Sequence, residues 1–229
     1  MQGFNGFPAQ TLGFLRELAR NNEREWFNAN KHRYEAQVRA PALAFIESMS
    51  PRLLRISGQF NAIAKKSGGS LMRVYRDTRF SKEKIPYKTN IGIQFRHRLG
   101  KDVHAPGFYL HIEPDDCFIG AGIWHPESRP LAMIRDFIAD NPAAWKAALA
   151  HKPFRRDFQL AGDTLTRPPR GYPADHPLID DLKRKDFIAL KAFDPERIQL
   201  PKFVDFVARS FSDAAPLVRY LCTAVEVSF

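Results

Sequence analysis

Ile91-Gly92-Ile93-Gln94-Phe95-Arg96 and Gly107-Phe108-Tyr109-Leu110-His111-Ile112-Glu113 decide the fold. In both stretches apolar residues alternate with polar or small ones, which places every second side chain on one face of a strand. Ile93, Phe95, Phe108, Leu110 and Ile112 then share a core face. Gln94, Arg96, Tyr109, His111 and Glu113 point the other way. Such alternation belongs to antiparallel sheets covered on one side only. Residues 71–76 and 117–124 extend it to a meander, with Pro114-Asp115-Asp116 as a hairpin turn. The expected class is α+β. An antiparallel sheet of about four or more strands, roughly residues 71–124, is packed on one face by N-terminal and C-terminal helices.

Outside this region the period lengthens. Leu12, Leu15, Leu18 and Ala19 recur at helical spacing after Pro8. Asn22 followed by Glu25 resembles a capping box for a helix carrying Trp26 and Phe27. Pro41 suits the first turn of a further helix, which Ser50-Pro51 should break or restart. Beyond the sheet, Leu131, Ile134, Phe137 and Ile138 form one stripe, and Phe203, Phe206, Val207 and Phe211 another. Asn141-Pro142 and Asp194-Pro195 read as helix starts. The proline-rich residues 166–173 must run as an extended loop, read as crossing the surface of one domain spanning residues 1–229.

Composition narrows the partners. Lysine and arginine number 35 against 25 aspartates and glutamates, a net charge of +10 that attracts anions. No apolar run approaches the roughly 18–20 residues of a membrane span. No basic region precedes an apolar stretch at the N-terminus, so no cleaved signal is expected and a cytoplasmic location is the default. Cys117 and Cys222 have no CxxC spacing, which argues against a disulfide scaffold or a thiolate metal site.

The densest chemical signal is residues 73–90. Arg73, Arg76, Arg79, Lys82, Lys84 and Lys88 crowd a turn-rich connection, with Asp77 and Tyr87 among them. Arginine presents a planar fork suited to phosphate or carboxylate, and lysine adds a point charge. Interleaved Phe80, Pro86 and Tyr87 suggest a fixed loop rather than a floppy one. The alternative is a solvated basic loop with Asp77 and Glu83 as local partners. On the polar sheet face, His111 and Glu113 are the candidate catalytic pair, a general base and its orienter, with Tyr109 beside them. Alternate residues on a strand lie about 7 Å apart, so they need not touch. Arg170, late in the proline loop, and His176, just beyond it, are further candidates. His111, Glu113 and His125 have no diagnostic ligand spacing, and no metal or cofactor is assigned. In Gly120-Ala121-Gly122-Ile123-Trp124 the glycines permit close approach of a ligand or another backbone, and Trp124 reads as core.

Several of these segments together resemble a known family. Phe4-Asn5-Gly6-Phe7, Glu25-Trp26-Phe27, the run 76–82 with Pro86-Tyr87-Lys88-Thr89, Tyr109-Leu110-His111, Pro169-Arg170-Gly171-Tyr172 and Asp175-His176-Pro177 follow in order. They are similar to the bacterial and fungal family catalogued as domain of unknown function 2461. The resemblance implies one domain over the whole chain and carries no activity, cofactor or catalytic residue with it. Glu83 stands where the family's basic motif has aspartate and Ile85 where it has threonine, which keeps a charge but removes a hydroxyl.

The leading expectation is a domain that binds, and if an enzyme acts on, a phosphorylated or otherwise anionic small molecule. A nucleic-acid-binding module is the first alternative, although no helix-turn-helix, RNP or KH signature is present. A non-catalytic protein-interaction domain is the second. Oligomeric state is not legible.

Overall fold

A computed structural model describes residues 4–77, 85–99 and 105–229. Five antiparallel strands form one sheet in the order β1 (Ile91–Phe95), β2 (Gly107–Ile112), β3 (Phe118–Ile123), β5 (Phe187–Ala192), β4 (Gln159–Ala161). The expected alternation holds through the meander. Ile91, Ile93 and Phe95 pair with Ile112, Leu110 and Phe108, and all six are buried. The intervening Tyr109 and His111 are only half-buried on the opposite face.

Helix α9 (Phe203–Ala224) covers the apolar face. Its 22 residues bury Val207, Phe211, Ala214, Val218 and Leu221 on one stripe. Phe211 meets Phe95 at 5.5 Å and Phe108 at 4.8 Å between ring centroids. Helix α4 (Ala40–Ile56) packs beside α9 and against β1, and α6 (Pro142–Ala150) flanks α9 as well. The chain is thus α+β, with helices from both ends of the sequence on one sheet face. No helix among the described residues is long and apolar enough to cross a membrane.

Three local expectations give way to tertiary packing. Residues 71–76 form no strand. Leu71 makes a single bridge to Ile93, and the chain then peels off β1 so that Tyr75 bridges Tyr87. The sheet is completed instead by β5 and β4, from beyond residue 124. Pro51 does not break α4, because Phe45, Ile46, Met49 and Leu53 bury one unbroken face across it. Packing outweighs the hydrogen bond that proline removes. Asn22 caps no helix. The cap position of α2 (Arg24–Ala29) is Glu23, and the Asn22 amide is engaged 65 positions away.

The glycines of β3 admit another backbone. Gly122 has φ +123°, and a Cβ there would fall 2.0 Å from the Phe187 carbonyl oxygen of β5. Beyond β3, Trp124 is no core residue. It is 66% exposed and its ring sits 4.2 Å from that of His125. His125 has φ +47° and its Nδ1 lies 3.1 Å from Asp186 Oδ1. Asp186, 1% exposed, also accepts the backbone N–H groups of His125 and Asp163 at 2.7 and 2.9 Å. This carboxylate clasps the ends of β3, β4 and β5 together.

A second carboxylate ties helix to sheet. Asp157, the last residue of α7 (Lys152–Asp157), accepts from Arg156 at 2.6 Å and from Lys191 of β5 at 2.7 Å. These bonds hold its pKa well below the usual carboxylate range. A carboxyl depressed on folding adds stability above its unfolded pKa of about 3.9, and that stability is lost as pH falls toward the folded value. Asp157→Asn should therefore cost about 1 kcal/mol near neutral pH, a figure discounted for screening. Urea unfolding at descending pH should show the deficit shrinking below about pH 4. A deficit constant with pH would contradict this ion-pair account.

Candidate functional site

Local geometry closes the gap that strand spacing leaves between alternate residues. On β2, the Tyr109 hydroxyl lies 3.2 Å from His111 Nδ1, and His111 Nε2 lies 3.2 Å from Glu113 Oε2. Long side chains lean along the strand, so groups whose backbones are about 7 Å apart can meet. Thr89 donates to Glu113 Oε1 at 2.6 Å, and Asn90 Nδ2 approaches His111 Nδ1 at 3.4 Å. The Phe118 ring stacks on the imidazole at 4.6 Å and 5°. Opposite His111 in the register is Gly92. A Cβ there would come within 2.7 Å of the Tyr109 hydroxyl, so only glycine leaves room for it.

The partners assign the protons. Burial first, then the Glu113 charge, pushes the Tyr109 pKa up to about 12, so the phenol stays protonated and donates to Nδ1. A neutral His111 then carries its own proton on Nε2, facing the Glu113 carboxylate. Both imidazole nitrogens are engaged. The end of this chain that reaches a cleft is Glu113, with His111 and then Tyr109 behind it. Cys117 donates its thiol to the Glu113 carbonyl at 3.1 Å, and burial pushes its pKa up to about 11. At neutral pH it is no thiolate nucleophile.

Beside this network stands a short two-stranded ribbon. Arg76 N–H donates to Pro86 O at 2.9 Å, and Lys88 N–H to Val74 O at 2.7 Å. The ribbon delivers Arg76, Asp77 and Lys88 to a cleft of 330 Å³ that Thr89, Asn90 and Glu113 complete. The basic segment and the Tyr109–His111–Glu113 chain therefore meet at Glu113. Lys88 is half-buried, and its pKa is lowered first by that burial and then by the neighbouring Arg73 charge.

Arg76 also lines a second cleft, of 290 Å³, with Arg24, Asn28, Tyr75, Pro86 and Tyr87. The Asn22 amide fixes its floor. It donates to Tyr87 O and accepts from Tyr87 N–H, both at 3.0 Å. Tyr87 in turn stacks on Phe27 of α2 at 4.1 Å and 20°. Arg24 and Asn28 went unnoticed in the sequence because nothing near them marks a site. The one signal was Asn22, whose partner lies far along the chain.

Other candidates fall elsewhere. Arg79, Lys82 and Lys84 lie outside the described residues. Arg170 and His176 line neither cleft. His176 accepts the Leu178 N–H at 3.1 Å, and Tyr172 beside it donates to Asp136 at 2.6 Å. His125 follows the far end of β3, whereas His111 pairs with Phe118 at its start, about 17 Å away by strand rise. It cannot share a metal with His111 and Glu113. Asp116 takes that place. His111, Glu113 and Asp116 bring one ligand atom each within 4.8 Å of one another. Ligands about 2.2 Å from an ion lie at most about 4.4 Å apart, so this spacing is near the limit for a shared ion.

A family model described as Conserved hypothetical protein (DUF2461) matches residues 10–220. No curated protein matches the chain, and no solved structure does.

Proposed function

The chain belongs to the DUF2461 family of conserved hypothetical proteins, and from the geometry of its site we propose that it binds a phosphorylated or otherwise anionic small molecule in the cleft of Arg76, Lys88 and Glu113. The supporting observation is Lys88, half-buried on the wall of this cleft beside the Arg73 charge. Partial burial of one cation beside another, exposed one is costly, and a bound anion offsets that cost. Arg76 supplies the planar fork, and Thr89 and Asn90 supply neutral polar groups on the same wall. Glu113, the member of the Tyr109–His111–Glu113 chain that lines the cleft, would exchange a proton with the bound molecule, with His111 and Tyr109 hydrogen-bonded in series behind it.

Thermal unfolding with inorganic phosphate and sugar phosphates tests this. A ligand at a hundred times its dissociation constant should stabilise the protein by about 2.7 kcal/mol. Arg76→Ala should weaken that ligand roughly tenfold to a hundredfold, the worth of a charge-assisted hydrogen bond, without changing the unliganded midpoint. Its backbone bond to Pro86 is retained, so the ribbon survives the change. Equal stabilisation of parent and variant would overturn the proposal. A shift seen with oligonucleotides alone, falling steeply with salt, would replace it with nucleic-acid binding.

A further inference from the structure

We infer, resting on the anion-binding reading above, that the molecule is a phosphate ester of a planar aromatic group, of which a mononucleotide is the common form. Its phosphate would lie at Arg76 and its ring on Tyr75. Among the described residues Arg76 lines both clefts, so a molecule held at its guanidinium can extend into either. Their volumes of 330 and 290 Å³ lie close to the lower limit of the roughly 300–1,000 Å³ range of small-molecule sites. Their walls differ in chemistry. One presents Lys88, Thr89, Asn90 and Glu113, and the other presents aromatic rings with Arg24 and Asn28.

The second cleft has the makings of a stacking platform. Phe27, Tyr87 and Tyr75 form a series of rings, 4.1 Å apart and then 5.5 Å apart. The first two are buried, and the outermost, Tyr75, is 51% exposed. A large ring left half in solvent at the edge of a buried aromatic series offers a face to another ring. The platform is held in place. Asn22 fixes the Tyr87 backbone from one side, and the Arg76–Pro86 bond closes the ribbon from the other. Asn28 carries an amide donor and an acceptor that can read a heteroaromatic edge, and the Arg24 guanidinium can lie flat on a ring.

The test compares dissociation constants for inorganic phosphate, ribose 5-phosphate, phenyl phosphate and purine and pyrimidine nucleoside monophosphates. The proteins are the parent chain, Tyr75→Ala, Tyr75→Phe and Arg76→Ala. In the parent the aromatic phosphates should bind about tenfold tighter than ribose 5-phosphate, the usual worth of stacking one ring. Tyr75→Ala should erase that advantage and leave ribose 5-phosphate affinity unchanged. Tyr75→Phe should keep it, and Arg76→Ala should weaken every phosphate. Tyr75 is exposed, so its truncation should not move the unfolding midpoint. If aromatic and non-aromatic phosphates bind equally and Tyr75→Ala alters neither, the aromatic assignment fails while the anion reading stands. If no phosphate binds the parent, both fail together. An oligonucleotide that binds far tighter than any monomer overturns the small-molecule class.

Discussion

Gly122→Ala should destabilise the fold by about 4 kcal/mol or more, which places it among the exceptional single substitutions. Two effects add. The residue sits at φ +123°, where L side chains are strained by about 1–3 kcal/mol. Its new methyl would also lie 2.0 Å from Phe187 O and 3.0 Å from Ile188 Cα, both backbone atoms of the neighbouring strand. Relief would require β3 and β5 to separate at the Gly122–Ile188 pair, beside the Asp186 clasp. Gly171→Ala separates the two effects. Gly171 has φ +95° with nothing within 4 Å, so that variant should show the backbone strain alone. Denaturant unfolding of both proteins would measure the difference. Equal losses would mean that β5 does not pass so close to β3.

Phe211→Ala should cost about 3–5 kcal/mol, the usual range for emptying an aromatic site in a core. Phe211 is fully buried in α9, and its ring touches Phe95 of β1 and Phe108 of β2. Truncation removes the contact that joins the covering helix to two strands at once. Its surroundings are rigid on the sheet side, so the void cannot collapse readily. The cleft residues 74–77 and 86–90 attach to the edge of β1, through the Leu71–Ile93 bridge and the Asn90–Ile91 link, and not through Phe211. Below its lowered midpoint the variant should therefore bind phosphate as the parent does. A loss under about 1 kcal/mol would show that the helix–sheet interface repacks freely.

The meander was legible because β1 and β2 bury one face only, and their residues announce it by alternating. β5 was not. Phe187 and Ala189 face the core, but Ile188 and Leu190 are half-buried on the other side, so the stretch reads as an unbroken apolar run. Periodicity alone cannot separate such a run from a buried helical segment. In the site, Arg76 and Lys88 stood out as a local excess of charge. The contact of His111 with Glu113 was hidden because backbone spacing says nothing of how side chains lean. Arg24 and Asn28 were hidden because Asn22, which brings α2 to the ribbon, carries the residue type of a helix cap. Its tertiary partner prevailed. Arg170 and His176 were chosen from a motif, and a motif does not state which surface it faces.

The position of α9 in the chain bears on how the protein is made. Synthesis runs from the amino end, and all five strands emerge before Phe203. Until α9 follows, Phe95 and Phe108 lack the Phe211 ring that packs on both, and β3 lacks the helix that covers it. Before that helix docks, the sheet presents part of its apolar face, the kind of surface that chaperones mask. The final act of folding is then the docking of one long helix, so a stop or frameshift shortly before residue 203 would spoil the whole sheet rather than trim its end.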